Sequence, residues 1–476
     1  LAWGLAPPHP QGDEGKGRGG VMSVQWRRRR LSSRREALSA GTATTVMALA
    51  GCGTAPGATP QVKVGSRTAE LRLHVRTGSE ADTLDERLPA LTQRFPSVKV
   101  TIEPFPGGEY QTKIVALMAA NSLGDTLWGG NAQSQSSKWA YLGALRSLDD
   151  LVRAEKFDLG QYYRGSVDGG RLEGKLFGLP FKLHPSFCVI YYNINQVQET
   201  GQRLPDASSA WEQVIDLGRR LKKTDGSTVN RWGILVPVPG QAAQFWITWA
   251  RSWGAELYSA DGRKAQLDDP KFGAALEFIH DLAFKHQIAP NVAQLDAVRG
   301  AGTGFEEGFG GLMQGSSSQK SMITRIQGRF QAANFLWPKG PGGQRGSIAI
   351  SDYIHIARQS AFAEEAWELT KHLCDTETGI RLGEGTGGAS GTCGARPDVY
   401  RHERLMANPL HRAWLDAVEQ VMPFREPWNF RGQDIEDQVL KPHFNALWNG
   451  ERAPGGDFLK QVNGLVQQIL DQPRGA

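Results

Sequence analysis

The chain reads as an α/β protein built in two lobes, each a sheet flanked by helices, with a crossing between them near the middle. Three observations lead there. The 476 residues are too many for one core, and two domains of about 200 residues each is the natural division. Strand and helix patterns alternate from Leu71 to Leu145. The stretch Gly174–Val197, GKLFGLPFKLHPSFCVIYYNINQV, sets Gly174, Gly178 and Pro180 before the apolar run Cys188–Tyr192. Glycine and proline favour a turn and an extended path, and the β-branched and aromatic run suits a buried strand.

The first residues are a leader. Before Cys52 stand eight Lys/Arg and three acids, so this part carries the whole formal charge of +5. The remainder is neutral, and no nucleic-acid motif occurs in it, which removes a basic-groove reading. Arg27–Cys52 has the order of an export signal, a basic run before the mildly apolar Leu38–Ala50. Ser33–Leu38 resembles a twin-arginine signal, and Leu49-Ala50-Gly51-Cys52 resembles a lipobox, which implies diacylglycerol on Cys52. The apolar stretch is about half the ~20 residues that span a bilayer. Residues before Met22 read as an over-extended start, and 52–69, rich in Gly, Pro, Ser and Thr, as a flexible tether.

From Leu71 the elements follow in order. Leu71, Leu73 and Val75 alternate as a strand; Thr77-Gly78-Ser79 is a turn, with Ser79 a candidate helix cap. Leu84, Leu88, Leu91 and Phe95 recur at helical spacing, with Pro89 expected in an early turn of that helix. Val98–Ile102 is a second strand, Tyr110–Ala120 a helix, Thr126–Trp128 a third strand and Trp139–Leu145 a helix, an order that predicts a parallel sheet. Ligands of such sheets sit beyond the carboxyl ends of strands, which selects 77–79, 104–108 and 129–135. Farther on, Trp211–Leu221 and the segment after Asp268-Asp269-Pro270 have helical patterns, Gln241–Trp253 is crowded with aromatics, and the tail from Pro397 reads as helices with Trp414, Trp448, Leu465 and Ile469 in the core.

Several of these segments carry a resemblance. Gly174–Asn193 resembles the G-K-x-Y-G-L-P…Y-Y-N signature of bacterial extracellular solute-binding proteins, the sugar-type family that serves ABC importers. GALRSLDDLV at Gly143–Val152, Trp211-Glu212 after Pro205, Phe305–Gly315, WPKGPGG at Trp337–Gly343 and EEAWEL at Glu364–Leu369 are similar to further family elements, in family order. Leu123-Gly124-Asp125 stands where the family has Pro-Asp, and Lys285–Pro290 lacks the family's glycine. The resemblance implies a two-lobe periplasmic-binding-protein-like fold (type II) with the ligand cleft at the hinge. Its implied boundaries are an export signal over 1–51, the tether over 52–69, a first lobe of 70–182 plus 338–385 and a second of 183–337 plus 386–476. It also implies an exported lipoprotein, monomeric, held to the membrane by lipid alone, with a small-molecule solute and the permease subunits of an ABC importer as partners.

Catalytic patterns fail on inspection. There is no H-E-x-x-H, C-x-x-C or G-x-S-x-G, and Gly383–Gly388 matches G-x-G-x-x-G but follows a helix instead of a strand. No catalytic residue, cofactor or metal is expected. Cys374 and Cys393 could pair; spacing leaves this open. Binding chemistry is better represented. A sugar offers a C–H face to an aromatic plane and a rim of hydroxyls to polar groups. The candidate planes are Trp128, Trp246, Trp249 and Trp428, and the candidate rim is Ser79, Asn131, Gln133, Asp352 and Arg396, with His184 and His355 as the histidines to watch. The reading is capture of a mono- or oligosaccharide. The alternatives are a non-sugar solute in the same fold (a polyol phosphate or polyamine) and a secreted carbohydrate-active enzyme.

Overall fold

The computed structural model describes Val64 and residues 67–130, 135–236, 243–299, 303–317, 320–385, 392–420 and 426–475. All fall within one compact unit, Gln61–Ala476. The leader, Cys52, most of the tether, Asn131 and Gln133 lie outside the described residues.

The strands are β1 Ala69–Arg76, β2 Val98–Phe105, β3 Thr126–Gly130, β4 Arg171–Leu172, β5 Lys175–Leu176, β6 Gly178–Ser186, β7 Val189–Asn193, β8 Lys223–Asp225, β9 Thr228–Leu235, β10 Gly310–Gly315, β11 Ala332–Leu336, β12 Ile348–Ile356 and β13 Cys393–Gly394. Six form one sheet, in the order β13-β6-β12-β3-β1-β2, and five a second, β11-β7-β10-β9-β8. β4 and β5 make a separate hairpin.

The parallel sheet expected of the first lobe is correct for β1, β2 and β3. It gives way at β12, which runs antiparallel to both β3 and β6. β6 leaves this sheet for the second and β12 returns from it, so neither follows the strand–helix winding that makes neighbours parallel. β12 is buried along its whole length, as a central strand must be, while the edge strand β2 buries only Val98 and alternates with exposed positions.

The crossing sits where the Gly174–Val197 pattern places it. β6 pairs in the first sheet and β7 in the second, with only Phe187-Cys188 between them. Residues 183–186, expected with the second lobe, thus pair in the first sheet. Phe187 has φ 52°, an uncommon conformation for a bulky residue. The return crossing joins β11 to β12 through the Gly-rich run at 340–346. A Cβ on Gly346 would lie 1.7 Å from the Thr248 carbonyl oxygen, so only glycine lets the chain pass this close to the helix Ala243–Ser252. Residues 393–405, expected with the second lobe, pack with the first: β13 pairs with β6, and Val399, Tyr400 and Leu405 join Leu183, Ala349 and Ile380.

In the first lobe the helix Ser79–Arg94 lays Ala81, Leu84 and Leu91 into the core. Pro89 lies in its interior, not in an early turn. Asp85 and Pro89 both face solvent, so water can satisfy the carbonyl that Pro89 leaves without a donor. The second lobe packs on an aromatic centre. Trp337 meets Trp211 at 4.7 Å and Trp249 at 4.5 Å between centroids, both edge to face. Its indole N–H donates to Ser252 Oγ at 2.9 Å. Trp448 and Ile469 belong to this core and Leu465 packs against it; Trp414 is buried in a neighbouring cluster with Tyr191 and Met313. Cys188, Cys374 and Cys393 are free and buried, so the open pairing of Cys374 with Cys393 is not made. No helix among the described residues is long and apolar enough to cross a membrane.

Candidate functional site

β1 ends at Arg76, and the helix Ser79–Arg94 starts after the turn at Thr77-Gly78. Gly78 holds the cap position without a side-chain bond, so the expected Ser79 cap is not formed: Ser79 is the first helical residue. Glu80 follows in the first turn, where the helix dipole favours a carboxylate. Arg76 Nε lies 3.2 Å from Glu80 Oε2. From the middle of β6, Lys182 reaches the same carboxylate, and its Nζ is 3.1 Å from Asp352 Oδ2 on β12. Burial alone would push the Glu80 carboxyl up; Lys182 and then Arg76 outweigh it and hold the group well below the usual carboxylate range. Two cations and two carboxylates are thus collected where β1, β6 and β12 meet, with Glu80, Lys182 and Asp352 all under a tenth exposed.

Two aromatic nitrogens border this network. Arg76 stacks on Trp128 of β3, its guanidinium 3.9 Å from the ring centroid. Tyr110 packs edge-on at 5.1 Å and donates its hydroxyl to the Trp128 carbonyl at 2.8 Å. The indole is therefore held by Arg76 and Tyr110, which corrects the reading of Trp128 as an open plane. Its buried Nε1 has no protein partner. His184 on β6 has a buried Nδ1 in the same condition. Burial pushes its pKa down to about 4, so the ring is neutral near pH 7. Buried polar atoms of this kind need a partner, and these two sit beside four charges.

His355 on β12 is structural. Its Nδ1 lies 2.8 Å from the Phe177 carbonyl oxygen and must donate to it, which leaves Nε2 to accept from Ser136 Oγ at 2.8 Å. In the second lobe, Gln314 and Ser317 stand at the carboxyl end of β10. Gln314 donates to the Phe187 carbonyl at 3.1 Å, and its Oε1 and the Ser317 hydroxyl are buried without protein partners. Each sheet thus presents unpartnered polar atoms near strand ends, where open α/β sheets bind ligands.

A cavity of about 470 Å³ is lined by both lobes: Ser137, Asp168 and Arg171 from the first, Arg263, Glu426 and Trp428 from the second. Burial pushes the Glu426 carboxyl up to about 7, against the opposing effect of its hydrogen bond with Ser137. Trp428 lines this cavity; its Nε1 donates to the Leu470 carbonyl at 2.8 Å and Arg263 lies 4.1 Å over its ring.

The other candidates separate. Trp246 and Trp249 are 2% and 0% exposed and packed among Phe245, Phe444 and Trp337, so the helix Ala243–Ser252 uses them as core and not as cleft planes. Arg396 is engaged by Asp398, by Gln161 Oε1 at 2.6 Å and by the face of Tyr162, and so is a packing tie instead of a rim group. No side-chain geometry is described for Ser79. Arg76, Glu80, Lys182, Gln314 and Glu426 were not anticipated. Lys182 had a readable signal: a lone cation inside the apolar run Leu179–Leu183. Among the described residues no group of three or more His, Cys, Asp or Glu is placed to hold a metal.

Residues 77–378 match the family described as bacterial extracellular solute-binding protein. The chain belongs to that family. Solved structures share the fold of this solute-binding protein. The ABC substrate-binding protein Lmo0181 of Listeria monocytogenes, in complex with cycloalternan, is 17% identical, with a TM-score of 0.72 over 85% of this chain and 99% of its own. Maltose-bound MalE3 of T. maritima is 20% identical, at 0.68 over 84% and 100%. The sugar-binding MalE of Xanthomonas citri is 19% identical, at 0.69 over 84% and 97%. A Brucella abortus protein named as a binding protein is 22% identical over 214 residues, 45% of this chain and 50% of its own. The chain thus spans about half the length of the curated relatives it matches.

Proposed function

We propose that this solute-binding protein captures a neutral mono- or oligosaccharide and delivers it to the permease subunits of an ABC importer. The observation that carries this is the balanced network of Arg76, Glu80, Lys182 and Asp352 beside the unpartnered nitrogens of Trp128 and His184. Its charges already compensate one another, so a charged solute would be desolvated there without gaining a counter-charge. Hydroxyl groups suit it better, because each can donate to a carboxylate and accept from an indole N–H. The saccharides named with the solved structures of this fold make sugars the first probes. Both carboxylates are committed to Lys182, which supports binding over a proton-donating, bond-cleaving role.

The lobes, 70–186 with 348–405 and 187–347 with the rest of the tail, would close on the solute by bending at Phe187-Cys188 and the 337–347 return. Outside the cytoplasm, lipid on Cys52 would anchor a monomer to the membrane; Cys52→Ser should release it from the membrane fraction. A thermal-shift panel of sugars, polyols and organic phosphates tests the central reading. A neutral saccharide at a hundred times its Kd should add about 2.7 kcal/mol of stability. Calorimetry should then show saturable heat, with no product released. A response confined to organic phosphates or polyamines, or measurable turnover, would overturn it.

A further inference from the structure

The lobes also touch directly, away from the charged network. The β4–β5 hairpin of the first lobe turns through Glu173 and Gly174, with φ 52° and 80°, the positive pair of a type I′ turn. This tight turn carries Glu173 at its tip. Beside the hairpin, the helix Gln135–Tyr141 ends in Tyr141, which is 44% exposed. Facing them is the second lobe's tail. Its loop at Trp428-Asn429-Phe430 is bound to the last helix, Gly456–Leu470, by Asn429, whose amide donates to the Ile469 carbonyl at 2.8 Å.

Arg474 joins the two sides. Its Nη1 donates to Glu173 Oε1 at 2.7 Å, and its guanidinium lies 4.8 Å over the Tyr141 ring and 4.7 Å over the Phe430 ring. The two rings meet at 5.4 Å between centroids. One cation therefore sits against two aromatic faces, one from each lobe, and an ion pair completes the set. Every one of these contacts is protein to protein.

We propose that Arg474, Phe430, Tyr141 and Glu173 form a clasp that favours closure of the lobes independently of the solute. The clasp is a conformational device beyond the solute-capture reading and does not depend on which solute is bound. Its four residues are positioning residues. Glu173, Phe430 and Arg474 also edge the cavity shared by the lobes, but none belongs to the charged network assigned to the solute. The clasp sets the fraction of molecules in the competent form, and apparent affinity scales with that fraction. Two cation–aromatic contacts, one ring pair and a solvent-facing ion pair together shift the closed-to-open ratio by on the order of tenfold.

The test is the distance between spin labels at Lys113→Cys and Lys460→Cys, both on exposed helix positions of opposite lobes, in the full chain carrying Cys52→Ser. Cys188, Cys374 and Cys393 are buried and would not take label. With no sugar added, Arg474→Ala/Tyr141→Ala should move the distance distribution toward longer separations, lowering the short-distance population about tenfold relative to the long one. Glu173→Ala, at an exposed turn tip where folding is not at stake, should move it the same way by a smaller factor. Distributions that superimpose on that of the unmodified clasp in both variants would overturn the proposal. Because no saccharide is added, this outcome is separate from any failure to find a sugar ligand.

Discussion

The two lobes are organised around different residues. The second lobe packs on indoles: Trp337 meets Trp211 and Trp249 edge to face, and those two stack on each other at 5.3 Å between centroids. The first lobe gathers its charges in one place, and Arg76, Glu80, Lys182 and Asp352 meet at its strand junction. An indole is easily buried, so a tryptophan-rich helix is first of all a core helix. A lysine in a buried strand is costly and is tolerated only with partners, so it marks a place where the structure holds polar groups for a purpose.

Trp249→Ala should break the first half of this contrast with the largest effect, about 4 kcal/mol from the lost aromatic volume, read as a lower denaturation midpoint. Solute affinity of the protein that remains folded should hardly change. Lys182→Met should do the reverse in kind. It leaves Glu80 and Asp352 facing each other, costs about 3 kcal/mol, and removes solute binding as well. Restoration of stability on adding Asp352→Asn would sharpen the contrast by showing that the cost is electrostatic and not one of packing.

Acid probes the buried titratable groups of the first lobe in a graded way. Burial lowers the pKa of His355 to about 4, below its unfolded value of about 6.5, so the unfolded chain takes the proton first. Stability is then complete well above pH 6.5 and falls as pH drops toward 4, by roughly 2 kcal/mol for this group between pH 6.5 and 4.5. Glu80, whose folded value is also lowered, adds a loss in the same direction at still lower pH. Urea unfolding at pH 7 and pH 4.5 checks this; equal midpoints would contradict it. The smallest effect is expected at the cavity shared by the lobes, where Arg263→Ala, uncovering one face of Trp428, should cost at most about 1 kcal/mol.

Much of this was legible in the residues. Alternation at Leu71–Val75 and Val98–Ile102 gave the strands, and the Gly/Pro-punctuated run at 174–192 gave the crossing, because backbone period and turn chemistry are local properties. The antiparallel entry of β12 was not legible, since pairing direction depends on where a distant strand returns. Asp352 and His184 were singled out and fall in the charged region; Trp246, Trp249 and Arg396 were singled out and are packing residues. Residue type suggests what a side chain can do, but Arg76 and Glu80 become a site only when Lys182, 102 residues on from Glu80, is folded against them.

The most direct measurement is calorimetry of Lys182→Met/Asp352→Asn, a pair that removes one charge of each sign and leaves Arg76 with Glu80. It should be titrated with the saccharide that gives the largest thermal shift. A folded protein that has lost the binding heat is the predicted result. Binding with the affinity of the parent chain would contradict the assignment of this network to the solute site.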